Sequence, residues 1–160
     1  MKHFLITLLI VCALAIPVGI VTAEDNIEPS PTPTDDPSNV AFSGVWSYTV
    51  TPLSVVGMCP PGIPGSGELS ITVAGDVVTL TFLSGRTCSP PSMCTFTGHI
   101  EGGQIIVSNT AIVDDEGGSA TNAIALSLSS DSNGWGSSSS RYLHPEGFEC
   151  VWEESITITR

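Results

Sequence analysis

The chain has 160 residues and a formal net charge of −12, and its fixed cations are Lys2, Arg86, Arg141 and Arg160. Residues 40–160 set eleven acidic side chains against the three arginines, a balance that repels nucleic-acid phosphates and anionic head groups and excludes nucleic acid as a partner. Such an excess suits an exported domain kept soluble by its charge, or cation-rich surroundings.

In chain order, the first element is an export signal. Lys2 precedes an apolar run from Phe4 to Ala23, and Val21-Thr22-Ala23 places small residues before Glu24. This predicts a signal peptide over residues 1–23, cleaved after Ala23. The alternative is an uncleaved anchor over residues 4–23, because about 18 or more apolar residues span a bilayer. Either outcome delivers the remainder to an extracellular or cell-surface position and confines membrane attachment to this segment. Residues 24–39, acidic and rich in Pro, Ser and Thr, predict a polyproline-like linker, since alternating proline removes backbone donors and favours an extended chain. No Asn-X-Ser/Thr sequon occurs.

Residues 40–160 predict a single all-β domain. Once Cys12 leaves with the signal, Cys59, Cys88, Cys94 and Cys150 remain. An even count in a small exported domain argues for disulfides. The absence of a Cys-X-X-Cys pair, with His99 and His144 in no ligand pattern, argues against zinc.

Alternating residues place strands near 44–52, 67–74, 77–84, 94–101, 104–113, 119–130, 136–144 and 148–159, and no segment reads as a helix. A Gly75-Asp76 hairpin opposes Val73 to Val78, Ile71 to Leu80 and Leu69 to Phe82, which joins the apolar faces of both strands. Gly102-Gly103 similarly opposes Ile100 to Ile105 and Gly98 to Val107. Around Asn133-Gly134, a three-residue loop opposing Leu126 to Tyr142 is preferred to a two-residue turn opposing Leu126 to Arg141. Pro145-Glu146-Gly147 brings Tyr142 opposite Cys150. In the last strand Glu154 falls on the apolar face.

Eight sequential antiparallel strands with short turns predict a meander, either an up-and-down barrel or a two-sheet β-sandwich. Gly44-Val45-Trp46 on the first strand resembles the Gly-X-Trp signature of lipocalins and their calycin relatives. The resemblance implies an eight-stranded barrel, with Arg160 from the end of the last strand lying against Trp46, and it favours the barrel over the sandwich.

In a meander, the connections at 53–66, 85–93, 114–118 and 145–147 share one rim, and the tight turns at Gly75-Asp76, Gly102-Gly103 and Asn133-Gly134 share the other. Closure makes the first and last strands neighbours, which predicts Cys59–Cys150 and Cys88–Cys94; the other two connectivities stay open, because all four cysteines lie at the same end. The rim candidates are Arg86, Asp114, Asp115, Glu116, His144 and Glu146. Trp46, Tyr48, Phe82, Phe96 and Trp152 are expected inside, either lining a small apolar cavity or filling the core. Asp114, Asp115 and Glu116, aided by Glu146, offer oxygen ligands for calcium, or else form a solvated turn. The EF-hand pattern is absent, because Trp135 occupies the fifth ligand position after Asp131.

No cofactor is expected. The chain carries no Gly-X-Ser-X-Gly elbow, metalloprotease helix, phosphate-cradling loop or dinucleotide fingerprint. The Ser137–Ser140 run reads as a solvent-facing or edge strand. Three functions follow in rank: a noncatalytic exported domain for adhesion or envelope interaction; a lipocalin-like carrier of a small apolar ligand, which requires a cavity; and a hydrolase, which requires His144 within reach of a carboxylate and a hydroxyl.

Overall fold

Eight antiparallel strands form where the alternation places them: β1 (Gly44–Val56), β2 (Gly65–Ala74), β3 (Val77–Phe82), β4 (Thr95–Glu101), β5 (Gln104–Ile112), β6 (Ser119–Ser130), β7 (Asn133–Leu143) and β8 (Glu149–Thr159). The computed structural model describes residues 41–160; the signal peptide, its anchor alternative and the linker lie outside the described residues. Each strand pairs with the next and β8 returns to β1, closing an up-and-down barrel rather than a sandwich. The long β1 makes the closure. Gly44–Val50 pair with β2 while Ser47–Val56 pair with β8, across a bulge at Pro52/Ser54.

The two glycine hairpins hold the expected register, with Ile71 facing Leu80 and Ile100 facing Ile105. Tyr142 faces Cys150, as the Pro145-Glu146-Gly147 loop requires. Between β6 and β7 the expectation fails. The turn is Asp131-Ser132, Asn133 and Gly134 belong to β7, and Leu126 faces Gly136 while Tyr142 faces Ala120. The glycines serve the strand instead of the turn. A side chain at Gly136 would collide with the Ala125 carbonyl, and one at Gly134 would crowd Ile158, so both positions require the close backbone approach that glycine permits. Among the described residues a 3₁₀ turn, Pro91–Cys94, also precedes β4, where the sequence reads as free of helix.

Most of the interior is filled. Trp46, Leu69, Leu80, Ile105, Leu126 and Ile158 are fully enclosed, each contributing about 1.5–3 kcal/mol by leaving water. The inward residues of β7 are small: Gly134, Gly136, Ser138 and Ser140. This corrects the edge reading of the serine run, and the solvent-facing reading holds at Ser137 but not at the inward Ser138 and Ser140. β7 is paired on both sides, and Ser138 is buried.

One end is shut by the first and last residues of the barrel. Gly44 adopts a φ of +135°, and a Cβ there would press on the Arg160 guanidinium. That guanidinium lies 4.0 Å over the Trp46 ring and donates to the carbonyls of Ala41 and Ser43. Trp46 Nε1 donates to the Phe42 carbonyl at 2.8 Å. The spacing Gly44-X-Trp46 thus has a local physical reason: the glycine makes room for the cation that covers the indole.

Candidate functional site: the open mouth of the barrel

The opposite end carries the longer connections, residues 57–64, 83–94, 113–118 and 144–148. Both disulfides lie there in the expected pairing, Cys59–Cys150 and Cys88–Cys94. The first ties the β1–β2 loop to the start of β8; the second closes the turn before β4.

Between these stapled loops is a cavity of about 570 Å³, open to solvent on one side, within the roughly 300–1,000 Å³ range of small-molecule sites. Its walls come from four places. Tyr48, Val50, Trp152 and Glu154 project from the adjacent β1 and β8, the β1–β2 loop adds Ile63 and Pro64, and Arg86 enters from the β3–β4 loop. Ser140, one of the small inward residues of β7, leaves part of the space that larger side chains fill elsewhere.

The polar atoms of the aromatic walls are held by backbone. Tyr48 donates its hydroxyl to the Ser84 carbonyl at 3.0 Å, and Trp152 Nε1 donates to the Pro60 carbonyl at 2.9 Å. Burial pushes the Tyr48 hydroxyl above its ordinary range, partly offset by the nearby Arg86 charge. Arg86 rests 5.3 Å over the Phe82 ring and 3.7 Å from Glu154 Oε2. Glu154 is only 6 % exposed.

The five aromatics expected inside therefore divide. Tyr48 and Trp152 line the mouth cavity, whereas Trp46, Phe82 and Phe96 belong to the filled core. Trp152 is only partly buried, because its indole turns toward Pro60 on the rim. Phe96 also borders a smaller hollow of about 190 Å³ behind the Cys88–Cys94 loop.

No family model, curated protein or solved structure matches this chain.

Of the other rim candidates, Asp114, Glu116, His144 and Glu146 form a separate cluster that does not line the cavity, and Asp115 is exposed beside them in sequence. Asp114 Oδ1 accepts the Gly118 and Glu116 backbone N–H groups, and Oδ2 accepts the Tyr142 hydroxyl at 2.7 Å. His144 Nδ1 accepts the Glu146 N–H, which leaves the proton of the neutral ring on Nε2, facing Glu116 Oε2 at 2.7 Å. The ring stacks on Phe148 with centroids 4.5 Å apart. His144 thus reaches a carboxylate, but both ring nitrogens are engaged without a hydroxyl, so the constellation required for a His144 hydrolase is not assembled here. Among the described residues no three His, Cys, Asp or Glu side chains converge as a metal site. Asp114 spends Oδ1 on its own turn and Oδ2 on Tyr142 of β7.

The Asp114–Tyr142 contact carries a pH prediction. Asp114 is held below its ordinary value of 3.8, first by the Tyr142 hydroxyl and then by the Gly118 N–H. Tyr142 is pushed up to about 12, first by its hydrogen bond to Asp114. The Asp114 contribution to stability is present above 3.8 and is lost as pH falls through the lowered value; the Tyr142 contribution is present below 10 and is lost as pH rises through about 12. Tyr142→Phe should return the Asp114 titration toward its ordinary position. An NMR titration of the Asp114 carboxyl carbon reads this directly, and an unmoved curve would show that the backbone N–H groups alone set it.

The sequence reading missed Glu154 and Ser140 as site residues. For Glu154 a signal existed: a carboxylate on the apolar phase of a strand violates alternation, and such violations concentrate where function outweighs stability. Ser140 gave no comparable signal, because a serine run fits a solvated strand equally well.

Proposed function

We propose that this chain is a noncatalytic exported barrel that binds a small, largely apolar molecule in its open mouth. The observation that carries this reading is the 570 Å³ cavity walled by Tyr48, Trp152, Val50 and Ile63 on a disulfide-stapled rim. A barrel of this size can fill itself with side chains; here the closed end does so, and the mouth does not. The Trp46–Arg160 stack supports the resemblance to lipocalins, and the oxidised cysteines suit an extracellular address.

A second reading, surface adhesion, is supported by exposed apolar loop residues around the same mouth, including Met58, Ile63 and Phe148. Titration of the oxidised chain with the neutral fluorophore N-phenylnaphthylamine separates the two. The carrier reading expects saturable one-to-one binding that Ser140→Phe weakens by about ten-fold or more while the melting midpoint holds, since the new ring occupies the ligand's space. Unsaturable binding, or binding indifferent to Ser140→Phe, would instead place the affinity on the outer rim.

A further inference from the structure

Among the described residues, Glu154 is the charged side chain buried inside the barrel, and an apolar ligand alone would leave it unexplained. It lines the mouth cavity, and its Oε2 has no hydrogen-bond partner. Arg86 stops 3.7 Å short, a distance at which opposite charges attract without forming a hydrogen bond. A buried carboxylate oxygen lacking a donor carries a desolvation cost that the attraction of Arg86, without a hydrogen bond, repays only in part. Arg86 brings a complementary surplus: a fork of five N–H donors, whose ionic partner among the described residues is Glu154 alone.

We propose that Glu154 and Arg86 form the polar end of the ligand site, and that the ligand is an apolar molecule bearing a neutral donor–acceptor head of the carboxamide type. This rests on the mouth being a binding site.

Charge balance selects the neutral head. The two side chains already cancel, so a carboxylate head would face Glu154 and an ammonium head would face Arg86. Either would leave one uncompensated charge beside the buried Glu154 carboxylate. A carboxamide presents an NH₂ donor beside a carbonyl acceptor, the first received by Glu154 and the second by Arg86. The terminal torsion of a glutamate is broad and nearly two-fold, so either carboxylate oxygen can turn to the cavity while the other stays toward Arg86. Tyr48 and Trp152 have committed their own hydrogens to Ser84 and Pro60. They offer aromatic walls to the apolar body and leave recognition of the head to the ion pair.

The test is calorimetric titration of the oxidised full chain at neutral pH with octanamide, octanoate and octylamine, which share one tail. Octanamide should bind tightest, by about ten-fold over either charged analogue, the factor carried by one charge-assisted hydrogen bond. Glu154→Gln, which leaves Arg86 unbalanced, should move the preference to octanoate; Arg86→Gln should move it to octylamine. A wild-type preference for either charged probe, or equal affinity for all three, overturns the head-group assignment while leaving the mouth a binding site. Failure of every probe to bind overturns the binding reading with it. The wild-type ranking decides the matter even where a variant fails to fold.

Discussion

Replacing Cys59 and Cys150 together by alanine should cost far more stability than replacing Cys88 and Cys94. The first bridge spans 91 residues and the second spans 6. By loop-closure entropy, these separations correspond to about 4.5 and about 2 kcal/mol respectively. The larger figure is a substantial share of the roughly 5–15 kcal/mol that holds a domain together. Burial adds to the difference, because Cys150 is enclosed whereas Cys88 and Cys94 are only partly so. Urea melts of the two double variants measure this as a displacement of the midpoint, with a steeper slope where loss of the 91-residue bridge lets the unfolded chain expand. Equal displacements would mean that the seam bridge does not act through the unfolded chain. A functional consequence accompanies the structural one. The Cys59–Cys150 bridge, together with the Trp152-to-Pro60 hydrogen bond, holds the β1–β2 loop against β8, so its loss should also loosen the cavity wall made by Ile63 and Pro64 and weaken probe binding.

That bridge was favoured in the sequence by topology, since an eight-stranded meander that closes makes the first and last strands neighbours; the choice among the three pairings was not fixed, because all four cysteines share one end. Register was legible wherever a glycine turn lay between two apolar runs, as at Gly75-Asp76. It was not legible at Asn133-Gly134, where the same residue type served a different need, close packing of β7 against Ala125 and Ile158. The cavity was harder still. Alternation states which residues point inward but not how deep along the barrel they lie. Trp46 and Tyr48 are two positions apart on one face of β1, yet the first plugs the closed end and the second lines the mouth. Tyr48, Trp152 and Arg86 were legible as candidates and do line the mouth, but Glu154 stood out only as a carboxylate on an apolar face, and its meaning required the approach of Arg86 from a loop whose course no periodicity fixes.

The two ends of the barrel should separate in their response to mutation. Trp46→Ala removes a side chain with no exposed surface, whose ring is covered by Arg160 and whose N–H is held by the Phe42 carbonyl. Truncations of this kind cost about 3–5 kcal/mol, through lost transfer energy and the void left behind. Arg160→Lys is the milder test at the same end. The charge is kept, but the planar fork that both stacks on the indole and donates to Ala41 and Ser43 is lost, at about 1–2 kcal/mol. Because the two residues share one contact, their effects should not add: a double variant should be less unstable than the sum, by about 0.5–2 kcal/mol. Strict additivity would show that Arg160 acts through the backbone carbonyls rather than through the indole. Probe affinity in Arg160→Lys should remain at the wild-type level, because the mouth cavity is lined by none of these residues. A fall in affinity would mean that the closed end and the mouth are coupled through the filled core between them, and that the barrel does not divide stability from binding along its axis.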